Sequence, residues 1–426
     1  MTGRSSKTRS TKPCLPEVKH FWIILLLFGV TSARGLEVDV RLKWFATGSA
    51  LPNHDIQRQF DDSPVYDMNT DMRLMFRHDA GSVTLLMDHS TTLISGDSLA
   101  FANAPGNTLD QTPTEDARRI MDLTWNIEDG NRHRSFHRLD RLAVQYRQGG
   151  WGVTLGRQAI SWGNGFVFQP MDLFNPFAPT TVDRDYKAGD DLLLIERLFP
   201  DGSDLQVLAV GRRDAEEKIT GRAGSLAAKW HTFVGEGELE LLVARHISDE
   251  VYGVGLRFPL GGALMRSDVI ATRLRDGGWE VSGIVNLDYS FALGEHATYL
   301  FGEYFHNGFG VDRLPANPAL LPMELTDRLG RGELFNLMKD YFALGGNIQW
   351  HPLWTQSFAL INNLHDGSSL LQTTVNYEQG DHQRLQFGVV VPFGRAGDEF
   401  GGVPLLGEQV TAGGATRGYL RWVYYF

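Results

Sequence analysis

The chain ends in its most aromatic stretch. Its last eleven residues read TRGYLRWVYYF, and an extended strand places Trp422, Tyr424 and Phe426 on one face. A chain terminus usually frays in polar residues, because nothing there needs burial. A strand that ends at the lipid interface explains this ending, because its aromatic side chains lie at headgroup depth and its alternate residues face lipid. The closing strand of a soluble barrel is the alternative. We therefore predict a β-barrel in the cell outer membrane, with these three residues as the signal that the barrel-assembly machinery reads.

The other end of the chain has the outline of a secretory signal peptide. Residues 21–30, FWIILLLFGV, are apolar, follow a basic segment and precede the small residues Thr31, Ser32 and Ala33. The apolar run has about ten residues, whereas a membrane-spanning helix needs about twenty, so an uncleaved anchor is the weaker alternative. We predict cleavage after Ala33, which makes residues 1–33 a signal peptide and residues 34–426 one barrel domain.

Cysteine content and charge exclude several functions. The only cysteine, Cys14, lies in the predicted leader, so the exported chain has neither disulfides nor thiolate metal sites. The formal net charge of −11 is opposite to what binding to nucleic acid requires. We predict no cofactor, no metal site and no nucleic-acid partner.

Polar and apolar residues alternate with period two in many segments. In residues 36–44, LEVDVRLKW, every second residue is aliphatic or aromatic and the residues between are charged. Strand-like runs are joined by short Gly-containing and Pro-containing turns, such as Gln148-Gly149-Gly150, and by long connections. The long connections are predicted at 90–119, 161–190, 307–339 and 393–415. About nineteen runs are visible, and single-chain barrels prefer even numbers. The fold class is therefore all-β, a transmembrane antiparallel up-and-down barrel of about 18 strands, with 16 as the alternative.

One internal segment is too specific for an ordinary loop. Residues 156–191 read GRQAISWGNGFVFQPMDLFNPFAPTTVDRDYKAGDD. Pro170, Pro176 and Pro179 prevent a regular ladder, and the phenylalanines between them are unfavourable in water. We predict that the part near 161–190 folds inward as a constriction loop, or packs against the barrel rim.

The charged and polar side chains of this segment are candidates for the pore constriction, because charges in a narrow lumen set selectivity. The alternative is that Arg157 and the aspartates are ion-paired staples that hold the loop. The candidates are Arg157, Gln158, Asp172, Asp183, Arg184, Asp185 and Lys187.

The G-R-Q…W-G…N-P pattern of this segment resembles one found in several proteobacterial outer-membrane barrel groups. These groups include porin-like proteins and, more loosely, alginate-export and capsule-assembly barrels. The resemblance covers the 36 residues from 156 to 191. It implies an outer-membrane barrel in which Trp162, Gly163, Asn175 and Pro176 form a structural loop motif.

Catalytic patterns are incomplete. His133 and His137 are four residues apart but lack the glutamate of a metal-binding H-E-x-x-H helix. His306-Asn307-Gly308 is similar to part of the active-site motif of outer-membrane phospholipases, but the matching serine is missing. No G-x-S-x-G nucleophile elbow with plausible partners occurs either. An outer-membrane hydrolase is therefore the weakest of three hypotheses, and we predict that the protein is not an enzyme.

The leading hypothesis is a porin-like channel in outer-membrane lipid for passive passage or export of an unknown polar or amphipathic solute. Sixteen or more strands are wide enough for an aqueous lumen. The alternative is a non-conducting or plugged barrel that anchors a surface polymer, or that serves as outer-membrane partner of an inner-membrane export system.

Overall fold

The computed structural model describes residues 35–102, 116–182, 184–214, 216–405 and 409–426, and the predicted signal peptide lies outside them. Eighteen strands form one closed antiparallel barrel, which confirms the predicted fold class and strand number. The last strand closes the ring by pairing with the first over its whole length, from Arg41 opposite Tyr425 to Ala50 opposite Thr416.

The described strands and helices follow the chain in a simple up-and-down order. Three short strands, β4, β19 and β20, lie outside the ring of eighteen. None of the helices in the described residues is long and apolar enough to cross a membrane. The elements are β1 (Leu36–Ala50), β2 (Val65–Ala80), β3 (Val83–Gly96), α1 (Ser98–Ala102), β4 (Thr124–Asp129), β5 (His133–Gln148), β6 (Trp151–Gln158), β7 (Asp190–Leu198), β8 (Asp204–Val210), β9 (Ser225–Val234), β10 (Gly237–His246), β11 (Asp249–Leu260), β12 (Ala263–Arg273), β13 (Trp279–Leu293), β14 (His296–His306), α2 (Met323–Gly330), β15 (Asp340–His351), β16 (Trp354–Asn363), β17 (Ser369–Gln379), β18 (Gln383–Phe393), β19 (Val403–Pro404), β20 (Thr411–Ala412) and β21 (Thr416–Tyr425), with 3₁₀ turns at Ile56–Gln59 and Pro318–Leu320.

The barrel is apolar outside and largely polar inside. In β13, Leu287 is 47% exposed, whereas its neighbour Asn286 is 2% exposed and faces the interior. Aromatic side chains stand near both ends of the same outer face, with Trp279 at one end and Tyr289 towards the other. An exposed apolar band between aromatic side chains is the surface that a bilayer covers.

The two rims of the barrel differ. The rim that carries both barrel termini is formed by short hairpin turns throughout, and at its β5–β6 tip Gly149 and Gly150 have φ angles of 59° and 78°. Positive φ at both central residues is the geometry of the tight hairpin turns that suit twisted strands. The predicted turns at 200–202, 259–262, 293–295, 351–353 and 379–381 are likewise at hairpin tips on this rim.

All the long connections lie at the other rim. The predicted start of the first connection is wrong, because β3 continues to Gly96 along β2, with Asp67 opposite Gly96. The connection therefore begins at residue 97 instead of residue 90.

The barrel wall is low where the 156–191 segment leaves it. β6 has eight residues and β7 has nine, whereas β5 has sixteen. Above the end of β6, the short strand β4 pairs with the first half of β5, with Asn126 opposite Phe136. The chain thus leaves the wall at Gln158, partway up the barrel, and returns at Asp190.

Candidate functional site: a loop across the barrel lumen

Residues 159–189, here called the lumen loop, lie on the inner face of the barrel. The lumen loop starts at β6 but contacts strands far around the ring, including Asp268 in β12 and Glu303 in β14. Its return limb contacts Arg41 in β1 and Asp88 in β3. One segment therefore meets opposite parts of the same wall.

Glu303 is the main polar anchor of the outgoing limb. Its Oε1 accepts hydrogen bonds from the backbone N–H groups of Val167 and Phe168 at 2.9 and 2.8 Å, and its Oε2 accepts from Phe166 at 2.7 Å. Asn286 donates to the same Oε2 at 3.0 Å. Glu303 has no exposed surface. Consecutive N–H groups directed at one carboxylate satisfy its charge in a buried position.

Two glycines permit the turn before this anchor. Gly163 has a φ of 102°, which side chains rarely adopt, and a Cβ atom added at Gly165 would lie 1.6 Å from the Phe168 carbonyl oxygen. Between them, Asn164 donates from its backbone N–H to Asp268 Oδ2 at 2.6 Å and from Nδ2 to Oδ1 at 2.7 Å. The predicted motif residue Gly163 therefore lies in a turn tied to the wall.

Apolar contacts seal the lumen loop against the wall. Trp162 packs edge-to-face on Phe174, with ring centroids 5.5 Å apart, and donates from Nε1 to Gln206 Oε1 at 2.9 Å. Phe168 stacks on Phe305 of β14 at 4.5 Å. The wall residues buried with Trp162 are themselves apolar: Leu192, Leu194, Leu208, Val210, Ala227, Leu242, Val251 and Ile270. The inner face beside the lumen loop is therefore not the polar face that strand alternation alone suggests.

Arg157 is enclosed at the base of the lumen loop. Its Nε lies 2.9 Å from Asp191 Oδ1, its Nη1 lies 2.9 Å from Asp116 Oδ2, and its Nη2 donates to the Met121 carbonyl at 2.6 Å. The side chain is 1% exposed. The last residue of β6, Gln158, stands opposite Asp190. In this position Arg157 contacts protein groups on every side and presents no surface to the lumen.

Asp172 and Lys187 form a second buried pair within the lumen loop. Lys187 Nζ donates to Asp172 Oδ2 and to Ser161 Oγ, the latter at 3.1 Å. Burial raises the pKa of Asp172 to about 6, against the opposing effect of Lys187, and burial also lowers the pKa of Lys187. This pair links the two limbs of the lumen loop.

Asn175 holds the middle of the lumen loop in a left-handed conformation, with a φ of 53°. Its Nδ2 donates to Asp190 Oδ2 at 3.0 Å, and Arg212 Nη2 lies 2.7 Å from the same oxygen. Asn tolerates this conformation better than most residues, and Pro176 then fixes the next φ. The N-P part of the motif thus marks a turn.

The tip of the return limb lies against an arginine-rich wall. Asp185 Oδ2 is 3.2 Å from Arg41 Nη1 and also pairs with Arg421. The guanidinium of Arg73 lies over the ring of Tyr186, 3.5 Å from its centroid. This contact is a cation–π interaction. The carboxylate and the adjacent ring of the lumen loop are therefore both held by arginines.

Arg184 is one of the two exposed charges among the described candidates. It is exposed and donates to the carbonyls of Pro179 and Thr181 at 2.9 and 3.1 Å, so its charge has no carboxylate within hydrogen-bond distance in the described residues. Asp183 lies outside the described residues. Of the seven predicted constriction residues, Arg184 and Asp185 are the two described ones with exposed surface at the tip.

The histidines that suggested metal binding have separate partners. His133 Nε2 lies 2.9 Å from Glu128, and His137 Nδ1 lies 2.9 Å from Thr91. Within the described ranges, no group of three or more metal-ligating side chains is found. His306 pairs with Asp340 at 2.7 Å.

Sequence reasoning did not identify the wall residues that hold the lumen loop. Glu303 shares its strand face with Phe301 and Phe305, and Asp268 shares its face with Ile270, so strand periodicity did not mark either carboxylate as a contact of the loop. Tyr186 lies between two predicted charges and carried no signal of its own. Their partners follow only from which strands face each other across the barrel.

No family model matches the sequence, and none of the curated proteins matches it. Solved structures of similar fold include OccK5 (OpdH) of Pseudomonas aeruginosa, with a TM-score of 0.52, 10% identity and coverage of 92% of this chain and 98% of that chain. OccAB4 of Acinetobacter baumannii gives a TM-score of 0.53 at 11% identity over 92% and 98%. P. aeruginosa OpdK with vanillate gives 0.50 at 11% identity, again over 92% and 98%.

At these identities the likeness shows the fold. The chain has the closed eighteen-strand architecture of the Occ outer-membrane porins, and the predicted outer-membrane location agrees with this fold. The finer resemblance of residues 156–191 to porin-like, alginate-export and capsule-assembly barrels stays a prediction, as does the reading of the terminal aromatic strand by the barrel-assembly machinery.

Proposed function

We propose that the barrel is a channel through which a small polar or amphipathic solute diffuses across the outer membrane, with the lumen loop as its constriction. One observation carries this proposal: at the tip of a loop that lies inside the barrel, Arg184 is exposed and the side chain of Asp185 is 23% exposed. Charged groups with exposed surface within the barrel imply water beside them. Barrels of sixteen to eighteen strands leave room for an aqueous passage.

An anionic solute is the finer proposal. The arginine-rich wall already holds a carboxylate, from Asp185, and an aromatic ring, from Tyr186. Vanillate, which the OpdK structure contains, combines the same two groups in one small molecule. For this chain we propose a small carboxylate, with an aromatic ring as the favoured attachment. Arg184 is the charge that such a solute meets at the tip.

Conductance in planar bilayers tests the channel. The refolded protein is compared with Arg184→Glu and with Arg275→Glu, which makes the same charge change in the exposed β12–β13 connection. We expect discrete current steps in all three proteins. Only Arg184→Glu should move the reversal potential in a salt gradient, towards cations, because charge at a constriction sets selectivity.

Two outcomes would contradict the channel. Silence from a correctly folded, heat-modifiable barrel would exclude passive conduction. Steps that appear only after deletion of residues 164–188 would favour the alternative, a plugged barrel that anchors a polymer or serves an export system.

A further inference from the structure

A cleft open to solvent separates the lumen loop from the connection 307–339 at the long-loop rim. It is distinct from the arginine-rich wall, since neither Arg41 nor Tyr186 lines it. Phe177 and Pro176 line the cleft from the lumen loop, and Phe309 and Phe335 line it from the connection. The apolar and aromatic lining, with a few polar groups at its margin, is typical of a site for a small organic molecule.

The charged groups at the margin of the cleft are already paired within the protein. Arg328 pairs with Glu324 at 2.6 Å and also with Asp249, and its guanidinium lies 3.8 Å from the ring centroid of Phe309. Glu333 lies 3.1 Å from His246 and 2.7 Å from Arg331. A charged ligand in this cleft would lose its hydration without gaining a counter-ion. The lining therefore favours an uncharged ring.

The cleft is built on ordered elements. Helix α2 buries Leu325 completely, and Leu325 packs with Phe309 and Leu274 in one apolar cluster. The backbone N–H of Leu337 donates to Glu399 Oε1 at 2.7 Å, which ties the end of the connection to a second loop. A preformed site avoids the entropy cost of ordering its walls when a ligand binds.

We propose that this cleft binds the uncharged aromatic or alicyclic ring of an amphipathic solute on the long-loop side of the lumen loop. The inference rests on the proposed channel function, for which the cleft is a site met before the constriction. The polar end of the solute remains in water at the open face while the ring lies between Phe177 and Phe335.

Thiol labelling tests the cleft without any measurement of current. In a Cys14→Ser background, Leu334→Cys places a thiol in the lining of the cleft at a half-buried position and keeps both Phe177 and Phe335. Leu320→Cys is the matched control in the same connection, at 73% exposure. Each folded variant is reacted with benzyl methanethiosulfonate and with ethyl methanethiosulfonate. Leu173→Cys, on the lumen-loop side of the cleft, is treated in the same way so that the result does not depend on one variant.

We expect the ratio of benzyl to ethyl rate constants to be about tenfold higher at the two cleft positions than at Leu320→Cys, because the cleft removes a phenyl ring from water. Benzyl alcohol should slow the benzyl reagent at the cleft positions only. Equal ratios at all positions, with no protection, would overturn the proposal. A barrel that does not conduct but shows the raised ratio would contradict the channel function and support the binding site. A conducting barrel with equal ratios would support the channel function and contradict the binding site.

Discussion

The carboxylate of Glu303 accepts a hydrogen bond from the backbone N–H of Phe168 at 2.8 Å, between residues 135 positions apart in sequence. The bond joins the inner wall of β14 to a loop that leaves the wall at β6. Because the loop has no ladder of its own, such side-chain anchors fix its position in the lumen. The width of any passage therefore depends on a few buried carboxylates.

Glu303→Gln should loosen the lumen loop. The amide offers only one acceptor oxygen, and its NH₂ group would face backbone donors, so at least one N–H loses its partner at a cost of about 1–3 kcal/mol. We expect a lower midpoint in the heat-modifiability assay and noisier single-channel current. Glu295→Gln, exposed in the β13–β14 turn, is the control and should behave as wild type. Equal heat-modifiability midpoints for Glu303→Gln and Glu295→Gln would show that Glu303 does not anchor the lumen loop.

The barrel itself was predictable from sequence, because side-chain alternation has a fixed period and needs no knowledge of distant partners. β1 and the β5–β6 hairpin show this, since both follow from residues adjacent in the chain. The sequence shows about nineteen strand-like runs, and eighteen strands form the ring. The main sheet has one further strand, β4, which is short and covers the low part of the wall. The end of β3 was missed because Ser90, Thr91 and Thr92 are polar and interrupt the alternation inside the strand.

The site was predictable only in part. The motif residues Gly163 and Asn175 do occupy backbone conformations that their residue types favour, which a local pattern is able to indicate. The partners of Arg157 include Asp116, 41 residues earlier. That pairing and the choice of Glu303 as anchor depend on how the strands are staggered around the barrel, which no local pattern encodes.

Arg157→Met tests whether Arg157 is a staple or a selectivity residue. The variant leaves Asp116 and Asp191 without their shared counter-ion in a buried place. Breaking a buried pair on one side typically costs about 3–5 kcal/mol. We expect a loss of that size in urea unfolding from lipid vesicles, with the reversal potential unchanged. Arg275→Met, at an exposed position, should change neither quantity. A shifted reversal potential at wild-type stability would instead support a direct part in selectivity.

Asp185→Asn should make the channel more selective for anions. Asp185 balances Arg41 and Arg421, and its side chain is 23% exposed. Removing this charge leaves the arginines less neutralised. For an ion that passes about 5 Å from Asp185 in water-like surroundings, the lost interaction is worth about 0.8 kcal/mol. The anion-to-cation permeability ratio should rise about two- to fivefold in a potassium chloride gradient, and less at high salt. Asp381→Asn at the β17–β18 turn is the control, and a change as large there would mean that Asp185 has no special position.

The loop between β18 and β21 should become less stable as the pH rises through neutrality. Its Glu399 accepts hydrogen bonds from Leu337 N, Tyr341 Oη and Asn363 Nδ2 at 2.7, 2.6 and 2.6 Å. Burial, aided by the nearby charge of Asp366, raises the pKa of Glu399 from 4.5 to about 7. Between these two values the folded loop holds a proton that the unfolded loop releases. The stabilisation is therefore complete below pH 4.5 and is lost as the pH passes about 7, on the order of 3 kcal/mol in all.

Cleavage by trypsin after Arg395, which is exposed in the same loop, reports this opening. We divide the cleavage rate of wild type by that of Glu399→Gln at each pH, because the pH dependence of trypsin itself then cancels. The amide of the variant does not titrate, so the ratio reports the ionisation of Glu399. We expect this relative rate to rise several-fold from pH 6 to pH 8, because a charged Glu399 is then buried with incomplete compensation. A relative rate that stays constant over this range would show that Glu399 is ionised throughout, and that its hydrogen bonds outweigh its burial.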